Sequence, residues 1–119
     1  MANKSGRVMD TKSAENGAQI HIWDKNGSDS QRWVLEADGS IINSSSGRAI
    51  DVSGNENGAK IQLRDKNGSA SQLWAFLVDG TIVNRATGMA LDVVGDHSNG
   101  ALVQYSDHKK SRTQLWHLE

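Results

Sequence analysis

Three in-register copies of one unit, repeating at about 41 residues, constrain this sequence more than any other feature. The segment from Ser5 to Asn43 and the segment from Ser46 to Asn84 align without gaps, with roughly half their positions identical. A more diverged third copy runs from Thr87 to Glu119 and needs one extra residue near Asp96-His97. The landmarks recur in phase: Gly6, Gly47 and Gly88; Asp10, Asp51 and Asp92; Trp33, Trp74 and Trp116.

Each copy reads as short strands joined by turns. Ile20/Ile22, Ile61/Leu63 and Val103/Tyr105 alternate with polar residues at period two, the pattern of a half-buried strand. The same alternation turns Tyr105 away from Ser106 and toward the core. Asp38-Gly39 and Asp79-Gly80 lead into the β-prone runs Ser40–Asn43 and Thr81–Asn84. Asn16-Gly17, Asn57-Gly58 and Asn99-Gly100 punctuate the middle of each copy, because Asn and Gly tolerate positive φ. Helical spacing is not sustained anywhere. A propeller of such units needs at least about four blades, and a solenoid needs capping repeats that are not visible here. Three four-stranded units that close on themselves remove exposed strand edges. The expectation is therefore an all-β trefoil with pseudo-threefold symmetry: one domain over residues 1–119, with copies at approximately 1–43, 44–84 and 85–119. Only Met1-Ala2-Asn3 precede the first copy, so its opening strand is expected to be short. A looser seam is expected where it meets the Leu118 region, or completion by a neighbouring chain.

Composition narrows the function. A formal net charge of −1 provides no field for nucleic acid or anionic membranes. No apolar run approaches the roughly 18 residues of a membrane span, and no signal-peptide core is present. The absence of cysteine excludes disulfides, thiolate metal sites and cysteine nucleophiles. His21, His97, His108 and His117 lack metal-ligand spacing, and Asp24-x-Asn26-x-Ser28 is followed by Leu35 where a calcium loop needs Glu. Asn26-Gly27-Ser28 and Asn67-Gly68-Ser69 match the glycosylation acceptor pattern but read as turns. No nucleophile motif or phosphate-cradling loop appears, so no catalysis, cofactor or metal is expected. Cellular location is left open.

Gln-x-Trp triplets stand at Gln31-Arg32-Trp33, Gln72-Leu73-Trp74 and Gln114-Leu115-Trp116, in phase with three Gly-x-x-x-Asp runs. Over nearly its whole length the chain resembles the ricin-B-type (Gln-x-Trp) β-trefoil lectins and the related carbohydrate-binding modules of glycosidases. The resemblance implies that Trp33, Trp74 and Trp116 pack in a shared core and that Gln31, Gln72 and Gln114 hold local backbone. It also implies one sugar pocket per copy. There the repeated Asp accepts hydrogen bonds from sugar hydroxyls, a ring on the third strand stacks under the sugar, and a polar residue two positions earlier adds a contact. An amide just before the Gln completes the set. In the first copy Asp10, His21 and Trp23 match these roles. In the second, Asp51 and Gln62 match, but Arg64 stands in place of the ring. In the third, Asp92 and Gln104 match, and Ser106 replaces the ring. The amide position holds Ser30, Ser71 and Thr113, which leaves Asn26 or Asn67 as substitutes. An Asp beside a turn can equally cap backbone N–H groups with no ligand.

Two functions follow as expectations. One is a carbohydrate-binding lectin module for galactose-type or related glycans, weak at each site and strengthened by several sites acting together. The other is a structural or protein-interaction trefoil with decayed sugar sites, whether an engineered repeat protein or a module of a larger toxin or glycosidase. Expected partners are glycans, with no nucleic acid and no membrane insertion. The expected state is a monomer or weak homo-oligomer.

Overall fold

A computed structural model describes residues 1–3, 5–54, 56–95, 98–109 and 111–117; Leu118, at the expected seam, lies outside them. In chain order the strands are β1 Ala2–Asn3, β2 Val8–Thr11, β3 Ile20–Trp23, β4 Trp33–Leu35, β5 Ile41–Asn43 and β6 Ala49–Val52. They continue as β7 Ile61–Arg64, β8 Trp74–Phe76, β9 Ile82–Asn84, β10 Ala90–Val93, β11 Val103–Ser106 and β12 Trp116–His117. Helix among the described residues is limited to 3₁₀ turns at Asp29–Gln31, Ala70–Gln72 and Arg112–Gln114, each just before a repeated Trp.

The strands form three antiparallel four-stranded sheets, ordered β12-β1-β2-β3, β4-β5-β6-β7 and β8-β9-β10-β11. The first sheet joins β12 of the third copy to β1, β2 and β3 of the first, and each of the other two joins the last two strands of one copy to the first two of the next. Every sheet therefore straddles two copies, and the third copy returns to the first through Ala2 opposite His117 and Asn3 opposite Trp116. β1 has two residues where β5 and β9 have three. This is the expected all-β trefoil with a shortened opening strand.

The core follows from period-two alternation. Met9 faces Ile22, Ile50 faces Leu63 and Leu91 faces Tyr105 in equivalent registers, and all six are fully buried. Each such apolar side chain contributes about 1.5–3 kcal/mol through burial. Tyr105 is the largest of the six. Its ring meets Trp74 edge to face at 6.1 Å, and its hydroxyl bonds the Thr87 hydroxyl, so the polar tip of a buried ring is satisfied.

A ring of contacts joins the copies. The Gly17 N–H donates to Leu63 O at 2.8 Å, the Gly58 N–H to Tyr105 O at 2.7 Å and the Gly100 N–H to Ile22 O at 2.9 Å. Each mid-copy Asn-Gly turn thus docks on the third strand of the next copy, and the last docks on the first. The adjoining Asn side chains repeat the pattern, bonding both the backbone N–H and the carboxylate of an Asp: Asn16 with Asp65, Asn57 with Asp107, Asn99 with Asp24.

Candidate functional site

The β2–β3 hairpin brings the first copy's residues together. Asp10 lies opposite His21 and Val8 opposite Trp23. Side chains two apart on a strand share a face, so these four project from the same side of the hairpin. Asp10 and His21 are buried, whereas Trp23 is 39% exposed. The Trp23 and His21 rings meet edge to face with centroids 5.9 Å apart. A Cβ on Gly100 of the third copy's turn would lie 3.8 Å from the Trp23 ring, an ordinary packing distance, so that turn lies alongside the indole.

Asp10 is aimed by two donors. Its Oδ1 accepts the Thr11 N–H at 2.7 Å, and its Oδ2 accepts the Gln31 side-chain amide at 3.1 Å. That amide nitrogen also donates to Asp24 O at 2.8 Å, and the Gln31 side-chain oxygen accepts the Asn26 N–H at 2.8 Å. Gln72 does the same for Asp51, Asp65 and Asn67, and Gln114 for Asp92, Asp107 and Lys109. A buried amide needs several partners, and this arrangement supplies them three times over.

Burial lowers the His21 pKa; the facing Asp10 carboxylate raises it, and Lys12 adds to the lowering. The neutral imidazole can therefore both donate and accept at neutral pH. His21 also lines a hollow of about 180 Å³ with Lys12, Gln19, Gly100 and Leu102. Asn26 accepts the Ser28 N–H at 2.9 Å, and the Ser30 hydroxyl pairs with that of Ser28 at 3.0 Å. Both side chains are thus engaged in holding the loop.

The sister copies differ. Asp51 and Asp92 are buried, and the Oδ1 of each has no hydrogen-bond partner among the described residues. Gln62 is buried and Gln104 half-buried. Arg64 is exposed, but Ser106 is buried and offers no platform.

The three Gln-x-Trp indoles each donate to a strand carbonyl: Trp33 to Met9 O, Trp74 to Ile50 O and Trp116 to Leu91 O, at 3.0–3.1 Å. Trp74 and Trp116 are buried, whereas Trp33 is only half-buried. Identical triplets therefore do not imply identical burial. A larger hollow of about 350 Å³ opens beside Trp33, Gln31 and Val8. The Asn16, Asn57 and Asn99 latches were legible only as turns; the Asp each one holds belongs to another copy.

Three equivalent sheets closed into a ring, with an aimed carboxylate beside an exposed indole, define a β-trefoil of the carbohydrate-binding class. The chain belongs to the ricin-type β-trefoil lectin domain family, whose model matches residues 1–116. Members typically bind carbohydrate without catalysis. Among solved structures the chain is similar to the designed threefold-symmetric protein ThreeFoil, at 30% identity over 98% of this chain and 92% of that one, with a TM-score of 0.88. It is also similar to the exo-β-1,3-galactanase 1,3Gal43A from Clostridium thermocellum, at 33% identity over 97% of this chain and 28% of that one, with a TM-score of 0.85. The C-half of the earthworm R-type lectin, solved in complex with GalNAc, shares the fold at 23% identity and a TM-score of 0.74, over 92% of this chain and 87% of that one. No curated protein matches the chain.

Proposed function

We propose that the chain is a carbohydrate-binding module whose principal site is the Asp10–His21–Trp23 face of the first copy. One observation carries this reading. An indole 39% exposed to solvent shares a strand face with a buried, hydrogen-bonded carboxylate and a buried imidazole. A sugar ring has an apolar C–H face and a hydroxyl rim, so it needs one flat surface and a few fixed polar groups. In this role Trp23 stacks under the ring, and the remaining lone pairs of Asp10 accept hydroxyls in charge-assisted bonds. His21 adds a polar contact at the rim.

Galactose-type glycans are the proposed class. Support comes from the match, at 33% identity, to part of an exo-β-1,3-galactanase. The second and third pockets have carboxylate oxygens ready to accept, at Asp51 Oδ1 and Asp92 Oδ1, but no stacking ring. They contribute weakly, and useful avidity comes from several sites or several copies engaging one glycan.

A glycan array followed by titration tests the reading, with wild type beside Trp23→Ala. Binding should fall about five- to 150-fold, the equivalent of the roughly 1–3 kcal/mol that an aromatic side chain contributes by stacking on a ligand ring such as a base. The fold should survive, because the indole lies outside the core. Glycan binding that the substitution leaves intact removes the first-copy site.

The second reading is a protein-interaction trefoil with decayed sugar sites. The buried Ser106, the Arg64 replacement and the loop-bound Ser30 favour it. No binding across a broad glycan panel by a well-folded sample would establish that preference.

A further inference from the structure

The hairpins β2–β3, β6–β7 and β10–β11 are equivalent in register but not in charge. Trp23, Arg64 and Ser106 hold one equivalent position, and Gln19, Lys60 and Leu102 stand four residues before them. Only the second copy therefore places a cation on each side of its middle residue, Gln62. Lys60, Gln62 and Arg64 alternate along the chain, so their side chains share one face with Asp51, which lies opposite Gln62. Arg64 is exposed and makes no hydrogen bond or ion pair among the described residues, and the same holds for the Lys60 side chain. The adjacent acid, Asp65, is already held by Arg48 Nε at 3.1 Å and by the Asn16 amide at 3.1 Å.

Two buried polar groups on this face have bonding capacity to spare. Asp51 is 8% exposed; among the described residues its Oδ2 takes only the Gln72 amide, at 3.3 Å, and its Oδ1 takes no donor. Gln62 is 6% exposed, and its side-chain amide makes no hydrogen bond among the described residues. Buried polar groups ordinarily have partners, so both call for a ligand that donates and accepts. Arg64 is the diagonal neighbour of Asp51 across the hairpin, a separation of about 7–8 Å. A bare anion would meet the guanidinium but also the Asp51 charge. A neutral sugar would serve Asp51 but leave Arg64 unused. A small ring that carries both hydroxyls and an acid satisfies all three side chains.

We infer that the second-copy face takes an acidic residue of a galactose-type glycan. A ring hydroxyl donates to Asp51, and the Gln62 amide contacts the rim. The guanidinium fork of Arg64 binds a carboxylate or a sulfate ester on the same residue through charge-assisted, paired bonds. Lys60 lies about 13 Å from Arg64 along the chain, at roughly 3.3 Å per residue, and attracts a further acid on a neighbouring sugar. Arg64 in place of a ring is then a change of ligand, not the loss of a pocket. The inference rests on the carbohydrate-binding reading and adds a substrate class to it.

The test is an NMR titration of the intact chain at low ionic strength with matched probes: galactose, galacturonate and galactose 6-sulfate. At least one acid should move the Arg64 Nε–H and the Gln62 side-chain amide saturably. It should bind there about two- to fivefold more tightly than galactose, the scale of an exposed ion pair. The tighter of the two acids assigns the anion as carboxylate or sulfate. Arg64→Gln, a change at an exposed side chain, should remove the preference read at the Gln62 amide, while galactose still moves the Trp23 indole N–H as in wild type. No movement at Arg64 and Gln62 with either acid at tens of millimolar overturns the inference, as does an acid preference that survives Arg64→Gln. Sodium acetate that moves both groups as far as galacturonate does would reveal an adventitious charge contact and overturn it too. A Trp23 response to galactose with no Arg64 response to either acid removes this inference alone; silence at both places removes the carbohydrate reading with it.

Discussion

Gln31 donates its side-chain amide to Asp10 Oδ2 at 3.1 Å, so the residue two places before Trp33 is the strut that aims the first-copy carboxylate. The relationship recurs as Gln72 with Asp51 and Gln114 with Asp92. It ties the turn before each Trp to the strand that carries each Asp. Packing and site geometry therefore share one side chain.

Gln72 is fully buried and bonded to Asp51, to Asp65 O and to the Asn67 N–H. Gln72→Ala leaves those groups without their partner, and each buried unsatisfied group costs about 1–3 kcal/mol. Urea unfolding should show a loss of at least about 1 kcal/mol on that scale. A neutral result would mean that the amide is not a strut.

Trp74→Ala should cost about 3–5 kcal/mol, the range for removing a large buried ring. Trp33→Ala should cost visibly less, because its indole is half-buried and already partly in contact with water. Equal losses in parallel denaturant titrations would contradict the difference in burial.

His21 makes stability depend on pH. Burial holds its imidazole below the ordinary value of 6.5, and the Asp10 charge opposes that only in part. The unfolded chain then takes up the proton more readily than the folded one. Stability is fully present above about 6.5 and is lost as pH falls through the lower folded value. Denaturant unfolding should show a drop between about pH 7 and pH 5 that is smaller in His21→Gln. An identical drop in both proteins would assign the effect elsewhere.

Asp38 shifts in the acid direction. The Ser40 hydroxyl at 2.5 Å, then the Ser40 N–H at 2.9 Å, then Lys66 stabilise its carboxylate and hold its pKa at about 2. The ordinary value is 3.8. These turn bonds are complete above the ordinary value and are lost as pH falls through about 2. The Ser40 amide shift should titrate with that low midpoint, and Ser40→Ala should move the Asp38 midpoint upward. A wild-type midpoint at the ordinary carboxylate value would show that the turn does not hold the charge.

Much of the fold was legible because its signals are local. Ile20 and Ile22 alternate with Gln19 and His21, and Asp38-Gly39 names its own turn. Tyr105 was readable as core from its place beside Ser106. The candidate site was legible only as residue types. Nothing local reports that Ser106 is buried, or that Asp10 takes a donor from Gln31, 21 residues away.

Alternation, turn chemistry and the threefold recurrence of Gln-x-Trp were enough, without coordinates, to specify three closing β units, because strand pattern and turn φ depend on neighbours a few residues apart. The tertiary structure decided what those units touch. Asn16 meets Asp65 across 49 residues and Asn99 meets Asp24 across 75. Trp33 stays half-buried, while Trp74 is buried and donates its backbone N–H to Gly39 O. Such contacts exist only once the ring closes, and closure places residues of different copies together in ways that no local pattern encodes.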